Sequence, residues 1–144
     1  MLQTWRDIQL VITAFGGIIG AFLGSMDGLL YTLIAFIIID YVTGFFCAIV
    51  ERDLSSEVGA RGIAKKVVIL LLVGIANLID INVIGTGAVV RTAVIFFYLS
   101  NEGVSILENA GRLGLPIPSK LKAVLAQLRD DAEGEESNGE SEND

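Results

Sequence analysis

Residues 28–50 read GLLYTLIAFIIIDYVTGFFCAIV, twenty-three positions in which Asp40 is the only charge. About 20 apolar residues rising 1.5 Å each cross a ~30 Å hydrocarbon core, so this stretch predicts a membrane-spanning helix. On its N-terminal side, residues 8–26 form nineteen positions without a charge and predict another. Only Ser25, Asp27 and Gly28 punctuate the two runs, a hairpin so short that the helices must be antiparallel. On the C-terminal side, 67–84 is polar only at Asn77, Asp80 and Asn82 and stops at Gly85-Thr86-Gly87. A last run, 87–107, carries Arg91 near its start and Asn101 and Glu102 near its end. The expectation is an all-α integral membrane protein with four transmembrane helices, the alternative being three with one segment re-entrant.

Composition agrees with a membrane setting. The chain has 144 residues, 53% of them hydrophobic and 19% charged, against about 25% charged in soluble domains. Its net charge of −7 belongs to the end of the chain, because 130–144 holds eight acids and no base. The remaining body is nearly neutral, which gives no electrostatic footprint for a nucleic acid partner. There is no His and a single Cys, Cys47, so disulfides, Cys/His zinc sites and His-based triads within one chain are excluded. No phosphate loop or nucleophile–base pair is present, and neither an enzyme nor a cofactor is expected.

Orientation follows from the bases near span ends. Arg6, then Arg52, Arg61, Lys65 and Lys66, then Arg112, Lys120, Lys122 and Arg129 all fall on one side of a four-span protein. The opposite loops hold none, so both termini are predicted to be cytoplasmic. A cleaved signal peptide is not expected, since a single base offset by Asp7 precedes the first run and no A-x-A site follows it. Residues 1–110 thus read as the transmembrane domain, 111–129 as a connector and a short amphipathic helix, and 130–144 as a disordered acidic tail. In that short helix Leu121, Val124, Leu125 and Leu128 share a face, and it suits either the inner leaflet or packing on protein.

Three groups of residues are candidates for function. In the first span Gly16, Gly20 and Gly24 recur every four residues beside a second row that includes Gly17 and Ala21. Such faces let helix backbones touch in lipid, either against the second helix, with its Gly44 and Ala48, or across a homo-oligomer seam. Asp40 lies mid-span, where a carboxylate costs about 2.5–3.5 kcal/mol on insertion scales. It requires a Thr, Tyr or Asn partner on a neighbouring helix, or a water-lined path. Asp80 and Arg91 flank the Gly85–Gly87 turn and are expected to pair or to snorkel to water. Finally Asn101, Ser105, Glu108, Asn109 and Arg112 form a polar stripe that faces either an aqueous lumen or the cytoplasm, with Glu108 and Arg112 spaced as an i,i+4 pair.

Three segments, DYVTGFFCAIVER at 40–52, SSEVGARGIAKK at 55–66 and NEGVSILENAGRLGLPIPSKL at 101–121, resemble the phage-lysis and toxin-secretion holin family of small bacterial membrane proteins. The resemblance covers about 30–128, and its motif positions are Asp40, Gly44, Ser56, Gly59, Lys66, Glu102, Asn109, Pro116 and Pro118. It implies a protein that accumulates in the lipid of the cytoplasmic membrane, associates with itself, and opens timed lesions through which a cytoplasmic endolysin, or in some relatives a toxin, leaves the cell. The other class left open is a small ion-conducting channel or accessory membrane subunit that passes no proteins.

Overall fold

The computed structural model describes residues 1–127; the tail 130–144 and Leu128 of the short helix's apolar face lie outside the described residues. Among those described there is no strand. Helices α1 (Leu2–Leu23), α2 (Gly28–Val50), α3 (Ser56–Ile79) and α4 (Val89–Arg112) follow one another, and α5 occupies 119–127. The helices outrun the apolar runs of the sequence. α1 takes in Arg6 and Asp7, and α3 begins eleven positions before the apolar run at 67, because a helix needs backbone bonds and not an unbroken greasy surface. Three helical stretches, Gln3–Leu23, Gly28–Val50 and Ser56–Ile84, are long and apolar enough to cross a membrane. α4 has 24 residues but includes Arg91, Glu102, Glu108 and Arg112.

Local chemistry sets the ends. Asp27 caps α2, its carboxylate accepting the Leu30 N–H at 2.9 Å, which satisfies one orphan donor of the first turn. α3 widens at its end into a π-helical turn, Asp80–Ile84, closed by the Gly85 N–H on the Asp80 carbonyl at 2.8 Å. Gly85 there has φ 81°, a left-handed conformation that costs glycine nothing.

α2, α3 and α4 form the body. Leu30, Leu33 and Ile37 of α2, Ile69 and Val73 of α3, and Ile95 and Leu99 of α4 make one buried cluster, closed by Leu23 of α1. Close approach is bought by glycine at two places. A Cβ on Gly74 would lie 2.0 Å from the Phe22 ring, and one on Gly103 would lie 2.7 Å from Leu125. The Gly103–Leu125 contact, with Gly111 beside Ile117, shows α5 running back antiparallel along α4. Leu125 is buried, whereas Leu121 and Val124 are exposed, so among the described residues of its apolar face α5 packs on its own bundle by Leu125.

α1 is different. It touches α3 but not α2, and from Gln3 to Gly20 every residue is exposed. Gly16, Gly17 and Gly20 have nothing within 4 Å of an added Cβ. Packing of this face against the second helix is therefore not found. Gly24 lies in the turn after α1 at φ 85°, against Asn77 and Arg91, and a Cβ added to Gly44 would lie 3.6 Å from the Asn109 amide nitrogen. Both serve contacts within the chain.

Candidate functional site

Two polar clusters lie at different levels of the body, separated by the apolar core. The first gathers around Arg91, at the end where α1 passes into α2 and α3 into α4. Its guanidinium donates from Nε to the Leu23 carbonyl at 2.8 Å, from Nη2 to the Ser25 carbonyl at 2.7 Å and from Nη1 to Asp27 at 2.7 Å. The α1 carbonyls are further held by the Asn77 amide, which donates to Phe22 O at 3.1 Å and Ala21 O at 3.3 Å. Asp80 accepts the backbone N–H groups of Val90 and Arg91 at 3.1 and 2.8 Å, a carboxylate on the positive end of α4. The expectation of a snorkelling or directly paired Asp80 and Arg91 is thus corrected. Both are buried, 1% and 3% exposed, because four orphan backbone groups at helix ends supply their partners. The arginine beside Asp27 holds its carboxyl below the usual carboxylate range, chiefly through their hydrogen bond.

The second cluster joins all three body helices. Lys66 of α3 donates to Asp40 of α2 and to Glu102 of α4, and all three side chains are largely buried. Asn109 donates to the other Asp40 oxygen at 3.1 Å and to Thr43 Oγ1 at 3.0 Å. Cys47 closes the set, its thiol donating to the Asn109 carbonyl at 3.3 Å. The Asn partner for Asp40 is as the sequence suggested, one of the alternatives weighed there. The lysine was missed, since the motif only marked Lys66 and the charge pattern assigned it to a loop. The available signal was arithmetic: two acids facing the interior need a base, and Lys66 directly abuts the apolar run at 67.

Between α2 and α3, with α4 as its floor, lies an open groove of about 850 Å³. Asp40, Gly44, Ser56, Gly59, Lys66, Glu102, Ser105 and Asn109 all line it, so motif positions scattered over three segments meet in one place. A Cβ added to Gly59 would lie 3.9 Å from the Tyr41 hydroxyl. At the mouth Arg112 donates to both Glu51 oxygens, one at 2.9 Å, and the pair holds the Glu51 carboxyl below its ordinary range. The expected Glu108–Arg112 pair is corrected by this cross-helix partner. Glu108 is exposed, and Asn101 is half-buried outside the groove. Pro116 and Pro118 lie in the connector between α4 and α5, away from both clusters. No group of metal-ligating side chains is found among the described residues.

Comparison with known proteins gives the same direction. The bacteriophage holin family matches residues 17–130. A probable holin of Bacillus phage phi105 is 34% identical over 65% of this chain and 69% of its own. An uncharacterised protein of Listeria innocua is 44% identical over 82% of this chain and 84% of its own. A 14.9 kDa uncharacterised protein of Clostridium perfringens is 42% identical over 81% and 89%. No solved structure matches.

Proposed function

Because the chain belongs to the bacteriophage holin family, we propose that it accumulates in a bacterial cytoplasmic membrane, associates with itself and opens lesions that let a cytoplasmic endolysin, or a toxin, cross. The observation that carries self-association is α1, an apolar helix whose Gly16, Gly17 and Gly20 meet nothing in the monomer. Lipid supplies no hydrophobic drive for such a face, but close backbone packing against a second copy does stabilise it.

α4 is the fourth span in this reading. Its 24 residues reach about 36 Å, and Arg91 and Glu102, costly in lipid, are turned inward onto partners. Four spans put the nine bases of the termini and the 51–66 loop on the cytoplasmic side.

The test is inducible expression in cells with and without a cytoplasmic endolysin, following culture clearing, membrane potential and release of a cytoplasmic reporter enzyme. The expected result is clearing only with the endolysin, together with reporter release once the outer layers open. Depolarisation with no passage of endolysin would instead identify an ion-conducting channel.

A further inference from the structure

The groove between α2 and α3 is charge-balanced everywhere except at its floor. At its mouth Glu51 is paired with Arg112, and one further acid and one further base, Asp53 and Lys65, are among the lining residues. At the floor one ammonium, Lys66, faces two carboxylates, Asp40 and Glu102, leaving one negative charge in excess. Tyr41 is the remaining titratable group on the walls. An uncompensated charge removed from water is strongly destabilising even after relaxation. Opposite charge must therefore come from somewhere.

The two carboxylates are not equivalent. Asp40 has both oxygens engaged, one by Lys66 and the other by the Asn109 amide. Glu102, only 6% exposed, is engaged at Oε2 by Lys66 alone. Among the described residues no donor reaches its second oxygen, and Glu102 lines the groove together with Ser105, one turn further along α4. An oxygen of this buried side chain that opens on the groove without a protein donor is where a small positive charge fits.

We propose that Glu102 binds one monovalent cation at the groove floor, either a proton from water forming an O–H bond at the free oxygen or an alkali-metal ion, and that the bound charge locks α3 and α4 to α2. The site is a property of the folded chain and does not depend on lesion formation.

The experiment measures the unfolding equilibrium of the full-length protein in detergent. pH is raised from mildly acidic to alkaline in choline chloride, and choline is then replaced by sodium or potassium at constant ionic strength. A folded state that holds one extra proton loses stability as pH rises, up to about tenfold in the unfolding constant per pH unit. If the ligand is a metal ion, sodium or potassium restores stability that choline does not. Glu102→Gln and Asp40→Asn each neutralise the excess charge, and both are expected to abolish this dependence. The lysines and Tyr41 remain in the variants, so the difference from the parent isolates the site. A parent with no dependence on pH or cation, or a dependence that persists in both variants, overturns the proposal. Should neither variant fold, infrared spectra of the parent decide. A carboxylic acid band lost on alkalinisation, or a carboxylate shift on adding the metal ion, is expected, and absence of both overturns the proposal.

Discussion

Arg91 supplies one planar guanidinium to three acceptors on the α1–α2 connection, a fork that an ammonium cannot reproduce. Arg91→Met leaves two helix-end carbonyls and Asp27 without their donor. Breaking a buried pair of this kind costs about 3–5 kcal/mol, and the partial exposure of Asp27 sets the expectation at the low end. Arg91→Lys is expected to recover less than half of the loss, measured as the shift in thermal unfolding in detergent. Asp27 also gives a pH dependence whose sign is fixed. Its carboxyl is held below the ordinary value of 3.8 by Arg91, so the stabilisation is complete above that value and disappears as pH falls through the lower folded one. Acid titration of the parent should show a loss that Asp27→Asn lacks, and an identical acid limb in both would remove Asp27 from the account. Asp40 was visible as a group needing a partner, because a lone carboxylate in an apolar run has few ways to exist. That its partners are Lys66 and Asn109 was not visible, since they lie 26 and 69 positions away on helices whose rotation the sequence leaves free.

At the level of the helices, glycine positions separate contacts within the chain from surfaces left free. Gly74 sits under Phe22 with no room for a methyl group, so Gly74→Ala is expected to push the last turn of α1 away from α3. Combining it with Phe22→Ala should restore part of the lost stability, a coupling read from a double-mutant cycle. Gly20 has open space around it. Gly20→Leu is therefore expected to leave monomer unfolding within about 0.5 kcal/mol of the parent while reducing crosslinked oligomers. Normal crosslinking in that variant would place the seam on another helix. Both glycines lie in similarly apolar runs, and although spacing put Gly20 in a row of small residues and left Gly74 alone, it did not say which of the two is enclosed. What distinguishes them is where α1 leaves the body: its last turn is pinned by Asn77 and Arg91, and the rest projects beyond every neighbour.

For the whole molecule, topology is open to direct measurement. The Cys47 thiol donates a hydrogen bond to the Asn109 carbonyl, and Cys47→Ser keeps a donor there, giving a background for single-cysteine labelling. On it, Ser56→Cys is expected to be silent to a membrane-impermeant thiol reagent added to intact cells and to react after the membrane is opened. Labelling from outside would contradict a cytoplasmic 51–66 loop and with it the four-span reading. The sequence by itself determined the helical class, the break between α1 and α2 at 24–27, the turn at 85–87 and the segregation of basic residues, because each follows from local hydropathy, chain length and the needs of a backbone in lipid; the antiparallel packing of α1 on α2 that it also suggested is not found. It also located the segments that carry the family resemblance. Only the tertiary structure decided that Lys66 completes a buried triad, that Arg91 closes the helix ends, that Arg112 pairs with Glu51 and that α1 stands free of α2. Those outcomes depend on helix rotation and crossing, which follow from how side chains from distant positions fit together and from no pattern within a single helix.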